Sequence, residues 1–191
     1  MTPVKFLYFL SVVVVFLSFG CKKDNPGPQL PPVTTTGACT FGCRVNGEVW
    51  LPGKKSNGTI DNLEGGLMVR WNPDGSEDSL SYDFLLFGYG NSGDGFQIYS
   101  EAISDTGTYS FGYPRGIWPS CSQCDSYGYF NYKGKSYTSG NFKGNFIRFR
   151  RFDKKHKIYS GLFSFTAVSS DQRDTIQVID GRFDIDMYKI N

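Results

Sequence analysis

Ile158-Tyr159-Ser160-Gly161-Leu162-Phe163-Ser164-Phe165-Thr166-Ala167-Val168 places Tyr159, Phe163, Phe165 and Ala167 on one face, with Gly161 between them. Turn residues follow at 170–174, and the run Thr175 to Ile179 pairs on. Asp180-Gly181 then opens Arg182-Phe183-Asp184-Ile185-Asp186-Met187. In that segment Phe183, Ile185 and Met187 point one way while Arg182, Asp184 and Asp186 point the other. A side-chain period of two is the geometry of a β-strand. One apolar face and one wet face is the pattern of an antiparallel sheet.

The same pattern runs upstream. Asn46-Gly47 sits between Cys43-Arg44-Val45 and Val49-Trp50-Leu51. Both turn residues accept the positive φ of a type I′ hairpin, so this pair predicts a tight β-turn. Further strands are expected at 67–71, 80–86, 96–99, 108–111, 127–132, 136–138 and 142–152. No long stretch carries apolar residues at helical spacing. Aromatics make up 17% of the chain and are separated by Gly, Asn and Asp, as in a many-stranded β protein. The expectation is an all-β, antiparallel sandwich of about ten strands, with a β-barrel as the alternative.

The start of the chain is of a different kind. A short basic segment, Met1 to Lys5, precedes a fourteen-residue apolar run from Phe6 to Phe19. Gly20-Cys21 follows, and then Lys22-Lys23-Asp24. This is the layout of a secretory signal peptide, and the run falls short of the roughly 20 residues that span a bilayer. Leu17-Ser18-Phe19-Gly20-Cys21 resembles the lipobox of bacterial lipoproteins, in the loose form of Bacteroidetes-type lipoproteins. The resemblance implies cleavage after residue 20 and acyl chains on Cys21. The expected address is therefore the cell envelope, at the outer membrane, with the lipid as the membrane contact. Residues 21–37, rich in Pro and Thr, are expected to form a flexible tether. Residues 38–191 form a single domain large enough for its own core.

Thr40-Phe41-Gly42-Cys43-Arg44-Val45-Asn46-Gly47-Glu48-Val49-Trp50-Leu51-Pro52 and the segments 158–167 and 174–184 resemble the two ends of a group of Bacteroidetes-type lipoproteins with an all-β domain. That resemblance implies a fold and an address. It carries over no functional residue.

Without residues 1–20 the chain holds 19 basic and 18 acidic residues. This near balance argues against a nucleic-acid partner. Cys39, Cys43, Cys121 and Cys124 are an even set in an exported chain and are disulfide candidates. Cys39 and Cys43, four apart in extended chain, would sit too far apart to bridge each other. Cross-links to the loop of Cys121 and Cys124 are expected instead. A zinc site of four Cys and a redox Cys-x-x-Cys are both poorly supported, because neither the location nor a helix favours them.

No Gly-x-Ser-x-Gly, His-Glu-x-x-His or phosphate loop occurs, so no catalytic residue, metal or cofactor is expected. His156, the one histidine, reads as a solvated turn residue. The acids read chiefly as turn residues. Arg148, Arg150, Arg151, Lys154, Lys155 and Lys157 form the most basic patch. Tyr113, Trp118, Tyr127, Tyr129 and Tyr132 lie in or beside an irregular segment at 112–126, and are the candidate platform for a glycan or a protein partner. The expected role is a non-enzymatic binding or interaction module. Alternatives are a polysaccharide hydrolase with paired carboxylates and a structural accessory of an outer-membrane assembly.

Overall fold

The computed structural model describes residues 27–53, 63–70, 81–112, 126–140 and 142–190. Cys21 and the leader, Tyr113, Trp118, Cys121 and Cys124 lie outside these residues. Among the described residues there are eleven strands and one short helix. They are β1 (Thr40–Val45), β2 (Glu48–Trp50), β3 (Leu63–Arg70), β4 (Ser81–Tyr89), β5 (Gly95–Ile103) and β6 (Gly107–Ser110). Then come β7 (Tyr127–Tyr132), β8 (Lys135–Ser139), β9 (Phe146–Asp153), β10 (Ile158–Ser169), β11 (Thr175–Asp186) and the helix α1 (Met187–Ile190).

These strands belong to one antiparallel sheet whose main path runs β2-β1-β11-β10-β8-β7-β5-β4-β3, with β9 branching off β10 and β6 pairing with β9. The sheet curls into a half-barrel. The expected all-β antiparallel fold is present, and the two layers facing each other across the core are arms of one continuous sheet. Phe41 of β1 stacks on Phe96 of β5 with ring centroids 3.8 Å apart. Phe84 of β4 meets Phe149 of β9 edge-on at 5.0 Å. Trp50 joins the same layer through Phe96 and Phe130. Each buried ring contributes roughly 2–3 kcal/mol of apolar transfer, and the pair geometry adds about 1 kcal/mol.

The face read from β10 is the buried one: Tyr159, Phe163, Phe165 and Ala167 are all in the core. So are Phe183, Ile185 and Met187 from the last strand and the helix after it. Asn46 and Gly47 have φ of +50° and +87° and join β1 to β2 as expected.

Two features depart from the sequence reading. Asp180-Gly181 does not open a new strand. β11 runs through it, and the register against both β1 and β10 slips by one residue there. Asp180 has φ +53°. This is a β-bulge, which bends the strand and helps the sheet to curl.

The second is a fork. One edge of β10 pairs with β11. The other edge pairs with β9 as far as Ser164 and with β8 from Ala167 onward. Asn145, buried, fills the gap between them. Its amide NH₂ donates to Gly140 O at 2.8 Å and to Thr166 O at 3.2 Å. Its carbonyl accepts Thr166 N–H at 2.9 Å. One side chain thus replaces the strand neighbour that Thr166 lacks.

Candidate functional site

The side chains that define the candidate site come from the two ends of the domain. Asp153 closes β9, and its carboxylate accepts the backbone N–H of His156 at 3.0 Å. The His156 ring lies 2.9 Å from the same carboxylate. Arg151 donates to it at 2.7 Å from the other side. The Arg151 guanidinium, with His156 next, holds the Asp153 carboxyl well below the usual carboxylate range. These contacts freeze the turn that carries Lys154 and Lys157. His156, read from sequence as a solvated turn residue, lies in that turn and fastens it through Asp153. Lys157 O also accepts Met187 N–H at 3.0 Å, which ties the turn to α1.

Between this turn, β3, β4 and α1 lies a cleft of about 360 Å³ at one mouth of the half-barrel. Gly66, Leu67, Tyr82, Lys154, Lys157, Tyr159 and Met187 line it. The Lys154 ammonium sits 4.8 Å from the centre of the Tyr82 ring. The Lys157 ammonium sits 4.7 Å from the centre of the neighbouring Tyr188 ring. Neither lysine has a carboxylate partner among the described residues.

Tyr159 forms the inner wall. It is only 1% exposed, yet its hydroxyl has no hydrogen-bond partner among the described residues. Nor is it fully enclosed, since Ser160 Oγ is the one buried side-chain polar atom left without a partner among them. The Tyr159 hydroxyl therefore opens to the cleft. Burial, reinforced by the nearby Asp153 charge, pushes its pKa up to about 12, so it is a neutral O–H donor at physiological pH.

A second polar assembly lies on the outer face. Thr40, Asp184, Ser160 and Arg151 stand opposite one another across β1, β11, β10 and β9. Residues 34–38 cross over them. The Asp184 carboxylate accepts Thr34 Oγ1 at 2.6 Å and the backbone N–H groups of Gly37, Thr36 and Ala38 at 2.8, 2.9 and 3.2 Å. Arg151 donates to Thr35 O at 2.8 Å, and Arg182 to Pro31 O at 3.1 Å. Burial opposes ionisation of Asp184, but the donors from Thr34, Gly37, Thr36 and Ala38 outweigh it and hold the carboxyl below its ordinary value.

These contacts bear on the C-terminal part of the segment 21–37 that was expected to be a flexible tether; its residues 21–26 lie outside the described residues. From Pro31 onward that stretch is held on the domain, and Asp184, expected on a wet face, is 1% exposed. The chain length left to reach from Cys21 to Leu30 is about 30 Å at full extension.

The other expected residues fall as follows. Tyr127 and Tyr132 are buried and Tyr129 is half-buried, so these three rings form no exposed platform. Their hydroxyls are taken by Gln97 at 2.6 Å, Glu48 at 2.9 Å and Ser136 at 2.8 Å respectively for Tyr127, Tyr132 and Tyr129. Cys39 and Cys43 are free thiols in this structure; Cys121 and Cys124, their expected cross-link partners, lie outside the described residues. The premise of an extended chain at Cys39 fails, because its φ is +53° and β1 begins one residue later. Cys43 is fully buried, and burial pushes its thiol pKa far up. The basic patch divides: Arg151 turns to residue 35, Arg148 to Thr108 at 2.9 Å, and Lys154 and Lys157 to the cleft.

Among the described residues no three His, Cys, Asp or Glu side chains are grouped to hold a metal ion. None of their helices is long and apolar enough to cross a membrane. The cleft was missed in the sequence because its residues arrive from positions 66 to 187, and Tyr159 and Met187 read only as core side chains, Lys154 and Lys157 only as a basic patch. No protein-family model matches the chain, and no curated protein and no solved structure matches it.

Proposed function

We propose that this protein is a lipid-anchored component of the cell envelope, placed at the outer membrane, whose β domain works as a non-enzymatic binding module for a glycan. The observation that carries the reading is the Tyr159 hydroxyl. It is a donor on a buried ring, opens to a cleft of about 360 Å³ and has no partner among the described residues. A satisfied core tyrosine would have paired that hydroxyl. Mouths of β-barrels are common ligand sites, and 360 Å³ lies at the lower end of the usual range. Tyr82 supplies a ring wall, and apolar Leu67 and Met187 supply the floor. No carboxylate lines the cleft among the described residues, which favours binding over the paired-acid chemistry of a glycosidase.

The anchor rests on the leader and on Cys21. Two or three acyl chains hold a protein firmly where one holds only marginally. A glycan array probed with the full mature chain in detergent tests the binding role: signal that falls with Tyr159→Phe supports it, and silence across the array removes it. Alkyne-palmitate labelling tests the anchor. Cys21→Ala is expected to abolish the label, and an equally bright variant would remove the lipid.

A further inference from the structure

Resting on the binding reading, we infer that the cleft selects sugars bearing an anionic group, a carboxylate or a phosphate, held by Lys154, Lys157 and the Tyr159 hydroxyl. Three independent features converge on this. First, the two ammonium groups are uncompensated among the described residues. Lys133, Lys135 and Lys189 meet Glu48, Asp174 and Asp186 at 3.6, 2.7 and 2.9 Å, whereas Lys154 and Lys157 meet no acid among the described residues. Asp153 lies close by, but Arg151 and His156 already occupy it.

Second, the two cations are positioned. Each lies over a tyrosine ring at 4.7–4.8 Å, a contact that restrains the long side chain without neutralising its charge. The backbone beneath them is fixed by Asp153 and by Met187. Third, Tyr159 stays protonated, has no acceptor among the described residues, and can be satisfied by one that enters the cleft. An anion oxygen is the acceptor that two ammonium groups would draw there. Leu67, Met187 and the Tyr82 ring leave apolar surface for the rest of the ligand, so a bare ion would use only part of the site.

The test is calorimetry on the full mature chain with four probes: tri-galacturonate, glucose 6-phosphate, the neutral trimer galactotriose, and inorganic phosphate. At least one acidic sugar is expected to bind about tenfold tighter than galactotriose, since each exposed ion pair contributes up to a factor of about 5. Preference for galacturonate identifies a carboxylate ligand, and preference for the 6-phosphate a phosphorylated one. The Lys154→Gln/Lys157→Gln double variant should lose that preference, and Tyr159→Phe should weaken the acidic sugar severalfold. Lys143→Gln, away from the cleft, should leave it unchanged, and melting curves check that each variant is folded.

Equal binding of neutral and acidic sugars would overturn the anion selectivity and leave the binding module standing. So would full affinity in the folded double variant. Inorganic phosphate binding as tightly as the acidic sugars would overturn the requirement for a sugar. No binding of any probe, together with a silent glycan array, would remove both readings.

Discussion

The carboxylate of Asp184 accepts the backbone N–H of Gly37 at 2.8 Å across 147 positions of sequence. It thereby fixes the chain ahead of β1 to the outer face of the sheet. A single buried acid on β11 decides where the chain ahead of β1 lies on the domain.

Replacing Asp184 by Asn keeps the volume and removes the charge that four donors share. Hydrogen bonds to a charged group are worth about 1.5–3 kcal/mol, so the variant should lose about 3 kcal/mol of unfolding free energy. Amide exchange at residues 36–38 should speed up before any other region does. An unchanged exchange pattern would show that these residues are held by something else.

The same carboxyl sets a pH dependence. Its folded pKa lies below the unfolded value of about 3.9, because the donors at Thr34, Gly37, Thr36 and Ala38 outweigh burial. Its contribution is complete above the unfolded value and is lost as pH falls through the folded one. Urea midpoints should therefore drop in the parent below about pH 4 by more than they do in Asp184→Asn. Parallel curves would exclude Asp184 as the titrating group.

Asn145→Ala leaves the Thr166 N–H and the Thr166 carbonyl without partners at the fork between β8 and β9, while Gly140 O keeps the Phe142 N–H. Each unsatisfied group costs about 1–3 kcal/mol, so the loss should reach about 3–4 kcal/mol, read by chemical denaturation. A loss below about 1 kcal/mol would mean that water fills the fork.

Gly161→Ala drives a methyl against the Arg148 carbonyl and the Phe183 ring. The carbonyl belongs to the β9 ladder and cannot swing away, so overpacking should cost about 3 kcal/mol. Phe183→Leu in the same background relieves the ring contact but not the carbonyl, and only partial recovery of the melting temperature is expected.

Cys43 is fully buried with its thiol pKa pushed up by that burial, while Cys39 is half-buried. The thiolate is the reactive species. Iodoacetamide should therefore modify Cys39 in the native protein and Cys43 only on unfolding, as peptide mass mapping would show. Modification of Cys43 at the rate of Cys39 would contradict the packing of β1.

Much of the fold was readable because its signals are local. Asn46-Gly47 needs only its own φ angles to make a hairpin. The alternation around Phe163 and around Ile185 needs only a sheet with one buried side. Asp180-Gly181 misled for the same reason: a residue at positive φ followed by Gly looks alike in a turn and in a bulge, and only the partner strands distinguish them. Tyr127 and Tyr132 misled because an aromatic beside an irregular segment carries no mark of which way it faces.

The sequence by itself determined that the chain is antiparallel β and which faces of β10 and β11 are buried. Those are properties of neighbouring residues and their period. Only the tertiary structure decided that Asp184 is buried under residues 34–38, that Asn145 stands in for a strand, and that Tyr82, Lys154, Lys157 and Tyr159 share one cleft. Those depend on which strands become neighbours, and residues far apart along the chain acquire a common environment only when the sheet curls.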